Sequence, residues 1–292
     1  MRAAAIFGLD SHEKDLRPFC EDSNAEWVTG LPAHSLDADA ILIFGGDGTI
    51  HRHLSGLVQL QVPVLVVPCG SGNDFARALQ FSAKKTSLCA WKRFLSGGRN
   101  VSSIDLGLIT SRSGLDVPAQ YYFCCVGGVG LDTEVARRAN QLPRWLRAHG
   151  GYLLSLPPAL VSYVAVPMRL TVATAGNPEH LMSRCQTPLM VAAFANTPSY
   201  GGGMKIAPRA QLDDGKLDFC IVHDMDKLKL LSLFPTVYFG RHLGIRGVEY
   251  IQTPGLTVET ETPVDVYADG EYVCQTPVEV TVARNALPVI HL

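Results

Sequence analysis

Two glycine-rich segments hold the residue types best suited to chemistry. Gly45-Gly46-Asp47-Gly48-Thr49 follows the apolar run Ala40 to Phe44 and precedes Ile50, Leu54 and Leu57, spaced as on one face of a helix. Glycines let a backbone turn sharply and bring its N–H groups against an anion, and a helix start adds N–H donors and a favourable dipole. A carboxylate inside such a loop would repel a bare phosphate, so Asp47 suits a loop that also meets Mg²⁺. The same five residues also make a plain strand-to-helix turn with a capping aspartate. The second segment, Pro68-Cys69-Gly70-Ser71-Gly72-Asn73-Asp74-Phe75-Ala76-Arg77, follows the apolar run Val64 to Val67. Here Ser71 can donate to a phosphate or cap a helix, Asn73 can bond a nucleotide edge or the backbone, and Asp74 can hold a metal or favour the helix start. Two such loops at the carboxyl ends of nearby strands say more together, because ligands gather there in α/β sheets.

Two further segments are weaker alone. Asp269-Gly270-Glu271 reads by itself as a hairpin turn. Tyr200-Gly201-Gly202-Gly203-Met204 suggests a loop that contacts through its backbone. The nearby Asp213-Asp214-Gly215-Lys216 offers carboxylate and carbonyl oxygens to a hard cation, or is simply a polar loop before a strand. The eight cysteines, Cys20, Cys69, Cys89, Cys124, Cys125, Cys185, Cys220 and Cys274, show neither CxxC nor Cys/His metal spacing. Several lie in apolar strands, so they read as buried thiols of a reducing cytoplasm.

The elements that must position these residues change texture along the chain. Up to about Asp105, short apolar strands alternate with glycine loops and helices, which predicts an α/β unit with a parallel sheet. Beyond it come longer, often adjacent strands: Tyr121 to Val126, Met168 to Ala173, Leu189 to Ala195, Leu217 to Val222, Leu256 to Thr260, Val264 to Ala268 and Val278 to Val282. Turns such as Gly176-Asn177-Pro178 separate them, predicting an antiparallel β domain. The expected domains are 1–105, with 286–292 packing back on it, and 106–285. At 292 residues, 47% hydrophobic and 18% charged, the chain can bury a sizeable core, which excludes disorder as its main state. A net charge of −2 gives no basic face for nucleic acid. The segment from Ala148 to Met168 has no Asp, Glu, Lys or Arg, but Pro157 and Pro158 would break a spanning helix. It reads as a short buried or interfacial helix ending near Leu156, then a strand. The start, MRAAAIFGLD, reads as a first strand rather than a signal peptide.

Taken together, GGDGTI, VPCGSGNDFARAL, YGGGMKIAPRAQLDDGKLDF and ADGE occur in the order and spacing of the diacylglycerol kinase-like lipid kinases. Sphingosine and ceramide kinases belong to the same group, and NAD kinases are more distant relatives. The resemblance covers roughly residues 25–292. It implies an NAD kinase-like N-terminal α/β domain, a C-terminal antiparallel β-sandwich, and ATP-dependent phosphorylation of a lipid hydroxyl in the cleft between them. Carried over by motif, Gly45, Gly46, Asp47, Gly48 and Thr49 would bind ATP phosphates and Mg²⁺, and Ser71 and Asn73 would contact the nucleotide. Asp74 and Asp105 would belong to an acidic cluster, and Thr29 would match a nucleotide-contacting threonine. Glu271 would be the general base, with Asp269 beside it. Asp214 would hold a structural Mg²⁺ by its side chain, and Gln211 and Lys216 by their carbonyls. The implied partner is a lipid at the inner membrane face, met by a cytoplasmic, peripheral enzyme. Monomer and homodimer remain open.

The chain departs from this pattern near its start. Phe7-Gly8-Leu9-Asp10-Ser11 lacks the usual Asn-Pro and second glycine, and residues 1–44 are short for the usual two helices. His51-Arg52 stands where Asn-Glu is usual; His51 reads as a helix-surface residue, with a rebuilt phosphate contact as the alternative. Three readings follow: a lipid kinase, an NAD kinase-like enzyme on a soluble substrate, and a non-catalytic lipid- or nucleotide-binding relative. The PCGSGND segment and the DGE turn favour the first over the second. The five acids favour it over the third.

Overall fold

The computed structural model describes residues 1–21, 23–112, 118–143, 146, 151–172 and 182–292, with backbone alone at 151–153 and 182–186. The chain divides into two compact units, Met1–Leu106 with Arg284–Leu292, and Gly107–Ala283.

The first unit is a parallel sheet with helices. Strands β1 (Arg2–Phe7), β2 (Glu26–Thr29), β3 (Ala40–Gly45) and β4 (Val64–Pro68) lie in the order β2-β1-β3-β4. Val289 of the returning C-terminal segment registers with Val64. All six residues of β3 are buried, as expected of a parallel strand covered on both faces. Among the described residues, helix α1 (Glu13–Cys20) and a 3-10 turn (Ser35–Asp37) stand before β3, in line with the shortness expected of residues 1–44. Helix α2 (Asp47–Leu60) buries Ile50, Leu54 and Leu57, the predicted stripe. Helices α3 (Asp74–Ala78) and α4 (Lys84–Leu95) follow β4. The Trp91 indole of α4 donates to the Phe19 carbonyl at 3.0 Å, fastening α4 to α1.

Strand β5 (Val101–Ser111) leads into the second unit, which is an antiparallel β domain with three described helices. Its strands are β6 (Gln120–Phe123), β7 (Val126–Gly130), β8 (Val166–Val172), β9 (Met182–Ala195), β10 (Leu217–His223), β11 (Val248–Thr253), β12 (Gly255–Thr260), β13 (Asp265–Ala268), β14 (Glu271–Gln275) and the first part of β15 (Val278–Ile290), which from Arg284 onward belongs to the first unit. The core gathers Phe123, Phe194, Leu217, Phe219, Val266 and Val280. Helix α5 (Leu131–Gln141) follows β7, α6 (Gly151–Ser162) precedes β8, and α7 (Lys227–Tyr238) follows β10. Among the described residues no helix is long and apolar enough to cross a membrane.

Two local expectations are corrected. The strand expected over Tyr121 to Val126 is broken at Cys124-Cys125, whose N–H groups bond the Asp269 side chain instead of a neighbouring strand. The helix expected to end near Leu156 continues through Pro157 and Pro158 to Ser162. Burial of Leu156, Ala159 and Leu160 on its inner side offsets the N–H groups lost at the prolines. Residues 148–150 and the Gly176-Asn177-Pro178 turn lie outside the described residues.

Candidate active site

In the first unit the two glycine loops meet. A Cβ placed on Gly46 would lie 2.9 Å from the Gly70 Cα, and one on Gly70 would lie 2.6 Å from the Gly46 Cα. Only glycine permits that backbone contact. Asp47, first residue of α2, fastens the pair: its carboxylate accepts the N–H groups of Asp74 and Phe75, both at 3.0 Å. The first turn of α3 is thus capped by a side chain from another helix. Asn73 takes the left-handed conformation (φ +52°), and its side chain accepts from the Gly70 N–H (2.9 Å) and donates to the Gly70 carbonyl (2.5 Å). Ser71 is exposed at the loop tip. Gly46 is extended before α2 (φ −105°), so the leading N–H groups of α2 point out of the helix.

Gly45 and Thr49 are tightly packed, for a Cβ on Gly45 would meet the Thr49 Cβ at 2.6 Å. Gly8 closes on the same threonine, where a Cβ would lie 2.4 Å from Thr49 Oγ1. Only glycine fits at that position, and Ser11 anchors the loop by donating to the Phe44 carbonyl at 2.5 Å. Gly48 is exposed, and Thr29 is exposed at the end of edge strand β2. His51 is half-buried on α2, and Arg52 is exposed.

Asp74 is buried and pairs with Arg77 at 2.5 Å; Arg77 also donates to the Gly72 carbonyl at 2.8 Å. Asp105 is buried and accepts the Asn285 N–H at 2.8 Å. The i, i+3 spacing of Asp74 and Arg77 at the start of α3 is the sequence signal for this pair.

In the second unit a similar clamp recurs. Asp269 takes the left-handed conformation (φ +52°) at the β13–β14 turn, followed by Gly270 (φ +86°), as a tight hairpin requires. Its carboxylate accepts the N–H groups of Cys124 (2.9 Å) and Cys125 (2.8 Å). Asn140 of α5 holds the tip by donating to the Gly270 carbonyl at 2.7 Å. Glu271, beginning β14, is exposed, and among the described residues no hydrogen bond or ion pair engages its carboxylate. In the acidic turn Asp214 accepts the Lys216 N–H at 3.0 Å, while Gln211 and Lys216 are exposed. Downstream, buried Asp218 accepts from Tyr250 and, at 2.9 Å, from Gln252; burial raises its pKa. The three glycines after Tyr200 have φ of +58°, +86° and +108°, a path only glycine follows easily.

The donor chemistry sorts the possible metals. Among the described residues the group with three ligand atoms within 4.8 Å is Cys124, Cys125 and Asp269. Its sulfurs are soft, and both Asp269 oxygens already accept N–H groups, so it does not fit Mg²⁺. Asp47, Asp74 and Asp105 form no such group. Asp47 is occupied in the same way as Asp269, both of its oxygens accepting backbone N–H groups.

An apolar cavity in the second unit is lined by Leu156 and Leu160 of α6 and by Leu233, Phe234 and Val237 of α7, among others. Among the described residues one carboxylate faces it: Asp132 of α5, bonded to the Tyr200 hydroxyl at 2.5 Å and pushed up to about 6 by burial. No motif announced this pair, which are 68 residues apart.

Comparison with known proteins assigns the family. Residues 12–108 match the diacylglycerol kinase catalytic domain, and residues 126–291 match the YegS C-terminal NAD kinase beta sandwich-like domain. A diacylglycerol kinase of Mycobacterium tuberculosis (strain ATCC 25618 / H37Rv) is 33% identical over 253 residues, 86% of this chain and 76% of that protein. A diacylglycerol kinase of Bacillus subtilis (strain 168) is 26% identical over 236 residues, 80% of this chain and 71% of its own length. In fold, the chain is similar to a diacylglycerol kinase from Bacillus anthracis str. Sterne, with a TM-score of 0.68, 17% identity, and 100% and 97% of the two chains covered. It is also similar to an NAD kinase from Archaeoglobus fulgidus in complex with ATP, with a TM-score of 0.53, 15% identity, and 100% and 93% covered. The chain therefore belongs to the diacylglycerol kinase-like lipid kinases, enzymes that phosphorylate an alcohol group.

Proposed function

We propose that the protein transfers the γ-phosphoryl group of ATP to the hydroxyl of diacylglycerol or a related lipid such as sphingosine, as a peripheral enzyme at the inner membrane face. The observation that carries this reading is the exposed Glu271 carboxylate on a turn that Asp269 pins to the Cys124-Cys125 bend. A base must be unengaged yet held in place, and within about 3 Å of the proton it takes or one water away.

In this mechanism Glu271 takes the proton of the lipid hydroxyl while the hydroxyl oxygen attacks the γ-phosphorus. The new O–P bond forms as the bond to the β,γ-bridging oxygen breaks, and ADP leaves. Such transfers depend on positioning and charge stabilisation more than on covalent chemistry from the protein. Gly45, Gly46, Gly48 and Thr49 receive the ATP phosphates at the start of α2, and Ser71, Asn73 and Thr29 contact the nucleotide. Asp47 keeps the two loops joined. Asp74, tempered by Arg77, and Asp105 set the electrostatics of the nucleotide side. Asp269 positions Glu271. When bound, Mg²⁺ neutralises charge on the phosphoryl oxygens. A separate structural Mg²⁺ is assigned to Asp214 and the carbonyls of Gln211 and Lys216. The apolar cavity behind α6 and α7 takes an acyl chain.

The test is transfer of labelled γ-phosphate to diacylglycerol, sphingosine, ceramide, undecaprenol and NAD, with Mg²⁺. Label in a lipid is the expected result. Label in NAD and in no lipid would overturn the reading, and ATP binding without any transfer would mark a non-catalytic relative.

A further inference from the structure

Helices α6 and α7 turn their inner sides to the apolar cavity, yet their outer sides are apolar too. Leu154 and Val161 of α6 are 53% and 76% exposed, and Val164 just beyond it is 76% exposed. On α7, Leu228 and Leu231 are 76% and 43% exposed, and Phe239 at its end is 72% exposed. Lys227 donates to the Val161 carbonyl at 2.7 Å, which brings Val161 and Leu228 to the same end of the helix pair. Helix α6 carries no charged residue, and α7 carries only Lys227 and Lys229.

A surface helix normally sets a polar face against water, whereas a helix apolar all round belongs in an apolar medium on both sides. Single exposed leucines are ordinary, but six large apolar side chains on two packed helices are a patch that marks an interaction surface. We propose that the outer face of α6 and α7 is the surface by which the protein docks on a lipid bilayer. Three observations favour a bilayer over a protein partner. The family acts on lipids, which reside in a bilayer. The same helices wall the apolar cavity, so a chain leaving the bilayer here passes from one apolar medium to another. The only charges on the two helices are cationic, Lys227 and Lys229, the sign that suits a surface carrying anionic headgroups. With a net charge of −2, the attraction is apolar and local rather than a general pull toward anionic lipid.

The inference rests on the lipid-kinase reading only for the kind of surface met, and the test separates the two. Co-sedimentation is measured with vesicles of phosphatidylcholine containing phosphatidylglycerol, without ATP, for the full chain and two variants. One is Val161→Glu with Leu228→Glu. The other is Leu36→Glu, which charges an equally exposed leucine of the first unit, 82% exposed. Both alter exposed side chains, and their thermal melts should match the unaltered chain. Placing charge where hydrocarbon must be met should weaken vesicle binding by about tenfold or more in the double variant, while Leu36→Glu binds normally. Phosphorylation of a short-chain diacylglycerol dispersed as monomers should be unchanged in both. Equal vesicle binding by the double variant, or none by the unaltered chain, would overturn the proposal. So would a dimer in sedimentation velocity that the double variant dissociates, because a second copy would then cover the face. Vesicle binding without lipid phosphorylation would leave the docking face standing and remove the kinase reading; phosphorylation without vesicle binding would do the reverse.

Discussion

Asp47 and Asp269 do the same physical job in units of different architecture. Each carboxylate accepts two consecutive backbone N–H groups, at 3.0 Å for Asp47 and at 2.9 and 2.8 Å for Asp269. Hydrogen bonds to a charged acceptor are worth about 1.5–3 kcal/mol each, so either clamp can hold a loop against its own entropy. The difference lies in what is held. Asp47 joins two glycine loops whose backbones touch, which makes a cradle of N–H groups suited to an anion. Asp269 pins a turn whose next carboxylate, Glu271, stands exposed. An acidic residue in a motif is thus not always a ligand or a base; here two of the five acids read most simply as fasteners for their neighbours.

That division of labour can be broken in graded steps. The largest expected effect is Glu271→Gln, which should lower kcat by about 10²–10⁴-fold, as loss of a general base does, with the melting temperature unchanged. Next, Asp47→Ala removes two charge-assisted bonds and should cost about 2–4 kcal/mol in urea unfolding, with a large rise in the KM for ATP. Asp269→Ala should cost a similar amount, part of it from alanine in a left-handed position, but should reduce kcat while sparing ATP affinity. Equal losses of ATP affinity in both variants would erase the comparison. Gly70→Ala forces a methyl group against the Gly46 backbone and should cost about 1–3 kcal/mol, with weaker ATP binding measured by calorimetry.

The smallest effect concerns pH. Burial pushes Asp132 up to about 6. Below about pH 4 the carboxyl is protonated in both folded and unfolded chains, and its full contribution is present. Between that pH and 6 the unfolded chain gives up the proton while the folded one retains it, so stability falls as pH rises, on the order of 1–3 kcal/mol in all. Asp132→Asn should lack this loss. Urea unfolding of both proteins at acid and neutral pH measures it; parallel slopes would show that Asp132 is not the titrating group.

Much of the first unit was legible because its signals are local. The Ile50, Leu54 and Leu57 stripe, the apolar runs of β3 and β4, and the glycines at 45, 46 and 70 each speak through neighbours in sequence. What Asp47 bonds was not legible, since its donors lie 27 and 28 residues away. The break at Cys124-Cys125 was hidden for the same reason, its cause being a carboxylate about 145 residues distant. Pro157 and Pro158 misled because proline statistics describe an isolated helix, whereas α6 is held by its buried inner side. The DGE turn showed its shape locally, but Glu271 acquired a role only from the motifs in register with it.

The central claim is that Glu271, not a residue of the nucleotide loops, activates the lipid hydroxyl. It is tested most directly by loading the protein and its Glu271→Gln variant with γ-labelled ATP and Mg²⁺, mixing each with dispersed diacylglycerol, and following label into lipid in a single turnover. The account predicts equal ATP binding and a transfer step slowed by at least about 10²-fold in the variant. Transfer within a few-fold of the unaltered protein, or an equal loss of ATP binding, would contradict it.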